Sequence, residues 1–134
     1  MDLKNVSVAL PTGDLRRAFL FYRDGIDLDL AAAPEEGSDM PEPVTFVLHG
    51  RTSLMLIPTV GFSWVSQGNA VAEKGVSECI VNVGVQSREE VDELVKKAGD
   101  AGGEVSGPPK EEIWGYSGAF KDLDGHVWMV EVVS

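Results

Sequence analysis

Two histidines, one cysteine and a scatter of serines are the side chains in this 134-residue sequence best suited to chemistry, and their placement restricts what they can do. His49 ends a β-prone run beside Gly50-Arg51, and His126 follows an Asp-Gly turn. With two histidines in all, a three-histidine metal centre is excluded. Both are read as structural, His126 as an anchor of its turn through hydrogen bonds. Cys79 is alone, so neither an intrachain disulfide nor a cysteine-based zinc cluster can form, and a buried, reduced thiol is expected. Ser7, Ser53 and Ser117 have no recognisable base partner, and Gly115 to Gly118 read as strand and turn glycines rather than a phosphate loop. What remains is aromatic and apolar: Trp114, Tyr116 and Phe120 in one stretch, Phe62 and Trp64 in another, with Met55 and Met129 as adaptable walls. These side chains either fill a core and a dimer seam or line a pocket for a flat or apolar small molecule.

The composition bounds the elements that must position them. A chain of this length buries about two-thirds of its unfolded surface and needs no staples. Its 43% hydrophobic and 25% charged content is that of an ordinary globular protein, and Met-Asp-Leu-Lys-Asn begins no long apolar run, so a cytoplasmic location is expected. Against 11 Lys and Arg stand 22 Asp and Glu, a net charge of -11. Such a surface repels phosphate backbones and anionic lipid, which argues against nucleic acid and membrane as partners and would suit a cationic ligand.

Val6 to Leu10 reads as a strand, followed by Asp14 as the cap of a helix that buries Leu15, Ala18, Phe19 and Tyr22 and ends at Gly25. Leu28 and Leu30 alternate with Asp27 and Asp29 as a half-buried strand, before a loop from Pro34 to Pro43 expected to be mobile. Val44 to His49 and Ser53 to Ile57 form a hairpin across Gly50-Arg51. The stretch 58–75 shows no clear periodicity and is too long for an idle connection, so it is expected to be either a lid or a linker.

The pattern then restarts. Ser77 to Val85 reads as a strand, and Ser87 to Glu90 as a capping box. Val91, Leu94, Val95 and Ala98 form the stripe of an amphipathic helix ended by Gly102-Gly103. A short run at Glu104 to Ser106 breaks at Gly107-Pro108-Pro109. A closing hairpin then turns at Asp122-Leu123-Asp124-Gly125, since Asp and Gly tolerate positive φ. Two βαβββ modules result, their cap residues Asp14 and Ser87 lying 73 positions apart by subtraction.

The closing stretch, Gly-Tyr-Ser-Gly-x-Phe-x-Asp-x-Asp-Gly-His-x-Trp from Gly115 to Trp128, resembles that of the glyoxalase/bleomycin-resistance/extradiol-dioxygenase (vicinal oxygen chelate) superfamily. Val85-Gln86-Ser87-Arg88-Glu89-Glu90-Val91-Asp92 supports the resemblance. It implies an α+β fold with two βαβββ modules in pseudo-twofold arrangement around a concave eight-stranded sheet. The chain would be a single domain with module 1–57, a linking or lid segment 58–75 and module 76–134. The resemblance also implies a homodimer.

In metal-using relatives one residue on the first strand and one on the last strand of each module hold a divalent ion. Here these positions fall at Ser7, Met55, Ile80 and Met129. None is a histidine, glutamate or glutamine, so the usual metal site is expected to be missing and no cofactor is expected. Glu78 and Glu131 share strand parity with Ile80 and Met129, which makes them candidate cavity carboxylates. Each sits about 6.6 Å along its strand from the usual place, and if buried would be a candidate general base.

The expected ligand cavity therefore comprises Ser7, Met55, Ile80, Trp114, Tyr116, Phe120, Met129, Phe62 and Trp64. Three functions remain open. One is metal-free sequestration of a small molecule, as in bleomycin resistance. A second is a divalent-metal-dependent lyase, epimerase or dioxygenase, if the ligand positions lie elsewhere. The third is a structural or regulatory dimer without ligand.

Overall fold

A computed structural model describes residues 1–133. The chain divides into two compact units, Met1–Val71 and Ala72 onward, with a break inside the 58–75 connection.

The first unit runs β1 (Val6–Thr12), α1 (Leu15–Leu20), β2 (Asp29–Leu30), β3 (Val44–His49), β4 (Thr52–Pro58) and α2 (Thr59–Val65). Its strands make a four-stranded sheet ordered β1-β4-β3-β2, in which β1 and β4 are parallel and the other pairs antiparallel. Asp14 begins α1 as its sequence position predicts, its carboxylate accepting from the Arg17 N–H at 3.1 Å. The helix does not stop cleanly before Gly25. Phe21–Gly25 continue it as a looser π-helix, which keeps both Phe21 and Tyr22 buried. Leu10, Val44, Phe46, Leu54 and Leu56 supply the buried face of the sheet, with Phe19 and Tyr22 rings 6.2 and 5.9 Å from that of Phe46. The loop of residues 31–43 is pinned to the helix by Arg16, whose Nη2 donates to Asp39 Oδ2 at 2.8 Å.

The second unit runs β5 (Ile80–Val85), α3 (Arg88–Asp100), β6 (Glu104–Glu112), β7 (Gly115–Lys121) and β8 (Val127–Val132), its sheet ordered β5-β8-β7-β6. β5 and β8 are parallel, as β1 and β4 are, so the two units repeat one βαβββ topology. The Ser87 hydroxyl accepts from the Glu90 N–H at 3.2 Å, while the Glu90 carboxylate accepts from the Gln86 N–H at 3.0 Å. Val91, Val95 and Ala98 are buried against Phe120, Trp128 and Val130, and Gly102 ends the helix region at φ 101°. In the closing turn the Asp122 carboxylate accepts from the N–H groups of Asp124 and His126 at 3.0 and 2.8 Å. The carboxylate thus organises the turn, and His126 contributes its backbone.

Four expectations need correction. The 58–75 connection contains a helix, α2, hidden from the sequence because Pro58 gives no side-chain cap and no residue of the helix is fully buried. β6 continues through Pro108 and Pro109, which an edge strand tolerates, with register irregularities on both sides of Gly107. β5 begins at Ile80 rather than Ser77, leaving Cys79 exposed rather than buried. Asp27 and Leu28 lie outside β2, with Asp27 at φ 60°. Among the described residues no helix is long and apolar enough to cross a membrane.

Candidate functional site

Each sheet has one face covered by its helix and one face turned away, called here the open face. Side-chain alternation assigns the residues. In the first unit Leu10, Leu54 and Phe46 pack on the helix side, so Ser7, Ala9, Thr45, Val47, Ser53 and Met55 belong to the open face. The Ser7 and Ser53 hydroxyls are 2.8 Å apart there. In the second unit Val81, Trp128 and Val130 lie on the helix side, placing Ile80, Asn82, Val127, Met129 and Glu131 on the open face.

The register supports the equivalence of the two modules. Ser7 pairs with Ser53, two residues before Met55, and Ile80 pairs with Val127, two residues before Met129. All four positions implied as metal ligands by the resemblance thus lie on open faces, at matching places in the two sheets.

Trp114 sits in the turn between β6 and β7, and its indole N–H donates to Ser117 Oγ at 3.0 Å. Ser117 pairs with Glu131 and so shares its face, yet is only 4% exposed. The indole accordingly folds back over the open face of the second sheet.

Tyr116 and Phe120 do not join it. Ala119 pairs with Met129 and Phe120 with Trp128, so Phe120 points to the helix side, fully buried and stacked on Trp128 at 5.6 Å between ring centroids. Tyr116 lies on that side too. Its hydroxyl donates to Asp92 Oδ1 of α3 at 2.6 Å and the Arg88 guanidinium lies 4.7 Å from its ring centroid. The bond to Asp92 favours the neutral phenol and raises its pKa above the usual value. Both assignments are corrected by carrying the alternation of β8 across the Asp-x-Asp-Gly turn, an inference the sequence itself permits.

Glu78 is exposed and precedes β5, so it has no strand parity with Ile80. Glu131 keeps its place, half-buried and opposite Gly84. Phe62 is half-buried on α2, whereas Trp64 is 84% exposed.

The donor set tests whether an ion fits. A hydroxyl, two thioethers and a hydrocarbon provide none of the imidazole or carboxylate ligands that zinc, iron or manganese require. Among the described residues no three His, Cys, Asp or Glu side chains are grouped so that they can hold an ion. The residues therefore do not fit the family's usual metal.

Residues 5–130 match the family model described as Glyoxalase/Bleomycin resistance protein/Dioxygenase superfamily. The chain belongs to that superfamily. Among solved structures it is similar to the hypothetical protein SA1046 from S. aureus, with 31% identity, a TM-score of 0.80 and coverage of 99% of this chain and 95% of that one. A glyoxalase-related enzyme from Fulvimarina pelagi shares 20% identity at a TM-score of 0.79, covering 97% and 88% of the respective chains. A lactoylglutathione lyase from Agrobacterium tumefaciens shares 22% at 0.67, covering 98% and 95%. At those last two identities the likeness is one of fold. Among curated proteins none matches the chain.

Superfamily membership leaves the site to be argued from its own side chains. One group on the open faces escaped the sequence. Lys4, Asn5 and Arg51 converge beside Ser7 and Ser53 around a recess of about 440 Å³. Parallel pairing of β1 with β4 brings them together, the Val6 N–H donating to the Arg51 carbonyl at 3.0 Å. No local spacing signals a contact between residues so far apart in sequence.

Proposed function

We propose that this chain binds a small, flat or apolar molecule on its open sheet faces without the divalent ion used by many of its relatives. The carrying observation is the identity of Ser7, Met55, Ile80 and Met129 at equivalent places in the two sheets. Thioether and hydrocarbon walls adapt to apolar ligands and offer nothing to a hard cation. The Trp114 indole beside Met129's face adds an aromatic surface whose N–H is already satisfied by Ser117. A metal-dependent lyase, epimerase or dioxygenase would have to recruit Glu131, about 6.6 Å along the strand from Met129. Two copies are proposed to associate, since Val60, Trp64 and Ile113 present apolar side chains to solvent.

Elemental analysis of the protein purified without chelator, from cells supplied with zinc, nickel, manganese and iron, tests the central claim. Substoichiometric metal and no rise in Tm on adding each ion are expected, because an ion bound only by the folded chain would stabilise it by mass action. One equivalent of any of these metals would overturn the proposal.

A further inference from the structure

The recess beside Ser7 has a character opposite to that of the whole molecule. In a chain of net charge -11, its lining contains two cations, Lys4 and Arg51, and no carboxylate. Asn5, Ser7, Thr52 and Ser53 supply the remaining polar groups, and Ala31 and Val47 form its apolar wall. The volume of about 440 Å³ lies within the range of small-molecule sites.

Its donors exceed its acceptors. Lys4 spends one ammonium hydrogen on Asp2 at 2.8 Å and keeps two. Arg51 has no carboxylate partner among the described residues, so its guanidinium fork is uncommitted, and its side chain belongs to the tight β3–β4 turn with Gly50 at φ 57°. Between Ser7 and Ser53 one hydroxyl hydrogen is used in their mutual bond, which leaves the other for an outside acceptor. By register the carboxylate on the same face is Asp29, opposite Val47, and it does not line the recess.

We infer that this recess is a subsite for the anionic group of a small organic acid, a carboxylate held by Arg51 and Lys4 over the Ser7–Ser53 pair with its apolar body against Val47. This deepens the proposed function and rests on it for the apolar body of the ligand, while the recess itself is built from the first unit alone. Net charge favours a cationic ligand, but local donors decide which group this site accepts. Charge-assisted bonds from an uncommitted guanidinium are about twice as strong as neutral ones.

Benzoate, its neutral isostere benzamide and the cation benzylamine distinguish the possibilities, titrated by amide NMR against the full chain stripped of metal with a chelator and then dialysed free of it. Benzoate is expected to shift the Asn5, Ser7 and Arg51 amides saturably at millimolar concentration, while benzamide and benzylamine leave them unmoved. Arg51→Gln should weaken benzoate about tenfold through loss of a charge-assisted hydrogen bond, and Lys4→Gln severalfold. Arg17→Gln, an exposed cation outside the recess, should change nothing. Equal binding of benzamide or benzylamine, an absence of saturable shifts, or an unaltered affinity in both R51Q and K4Q would overturn the inference. Because the chain is freed of metal beforehand, benzoate binding is independent of the metal assay: a bound metal would sink the metal-free function and leave this subsite standing.

Discussion

The two open faces repeat one βαβββ topology and each carries a methionine, Met55 or Met129, at the same place, yet the residues around it differ. In the first unit the face carries hydroxyls at Ser7, Ser53 and Thr45, edged by Lys4 and Arg51. In the second it carries Ile80, Val127 and Met129, with the Trp114 indole laid over Ser117. The helix-covered faces, by contrast, are alike: Phe19, Phe46 and Leu54 in one unit, Phe120, Trp128 and Val91 in the other. Folding constrains the covered layer because close packing penalises any change of volume. Each open layer is released from that constraint, so its side chains can differ between the two units.

Three measurements would break or sharpen this comparison. The largest effect belongs to the covered faces. Phe46→Ala and Trp128→Ala should each cost about 3–5 kcal/mol in urea denaturation, since each empties a fully buried aromatic site. A cost below about 1 kcal/mol in either would show that the two cores are not equivalent, because even modest cavities exceed it. A smaller effect separates the open faces. Ser117→Ala removes a buried acceptor for the Trp114 indole and should cost about 1 kcal/mol, whereas Ser53→Ala, at an exposed hydroxyl pair, should stay within about 0.5 kcal/mol. Equal losses would show that the indole bond to Ser117 stabilises no more than the exposed Ser7–Ser53 pair does.

The smallest effect is in pH dependence, where the two units differ in sign. Hydrogen bonding to Arg16 holds the Asp39 carboxyl below its usual 3.8, so its contribution is present above that pH and lost as pH falls through the lower folded value. The Tyr116 phenol, bonded to Asp92, is raised above its usual 10.0. Its contribution is complete below that pH and lost as pH climbs through the higher folded value. Asp39→Asn should therefore flatten only the acid limb of a stability profile, and Tyr116→Phe only the alkaline limb. Both effects should shrink with salt, since these groups are exposed. Movement of the opposite limb in either variant would undo the assignment.

The scaffold was largely legible in the sequence because its signals are local. Asp14 and Ser87 cap helices by bonds to residues three positions on, and Val91, Val95 and Ala98 recur at helical spacing. α2 was hidden because Thr-Val-Gly-Phe-Ser-Trp-Val lacks a capping side chain and a buried stripe. Tyr116 and Phe120 fall on the helix side because the alternation of β8 carries across its turn into β7, a step that the aromatic composition of the stretch does not reveal. The recess at Arg51 was beyond local reading altogether. It depends on a parallel pairing that aligns Val6 with Thr52, a register that no local motif announces.

That parallel pairing has a further consequence for how the chain can be divided. Each strand among the described residues finds its ladder partners inside its own half, β1 through β4 in one and β5 through β8 in the other. A protease nick between residues 66 and 75 would sever one covalent link and no ladder. Two polypeptides supplying the halves separately would each carry every strand that its own sheet pairs.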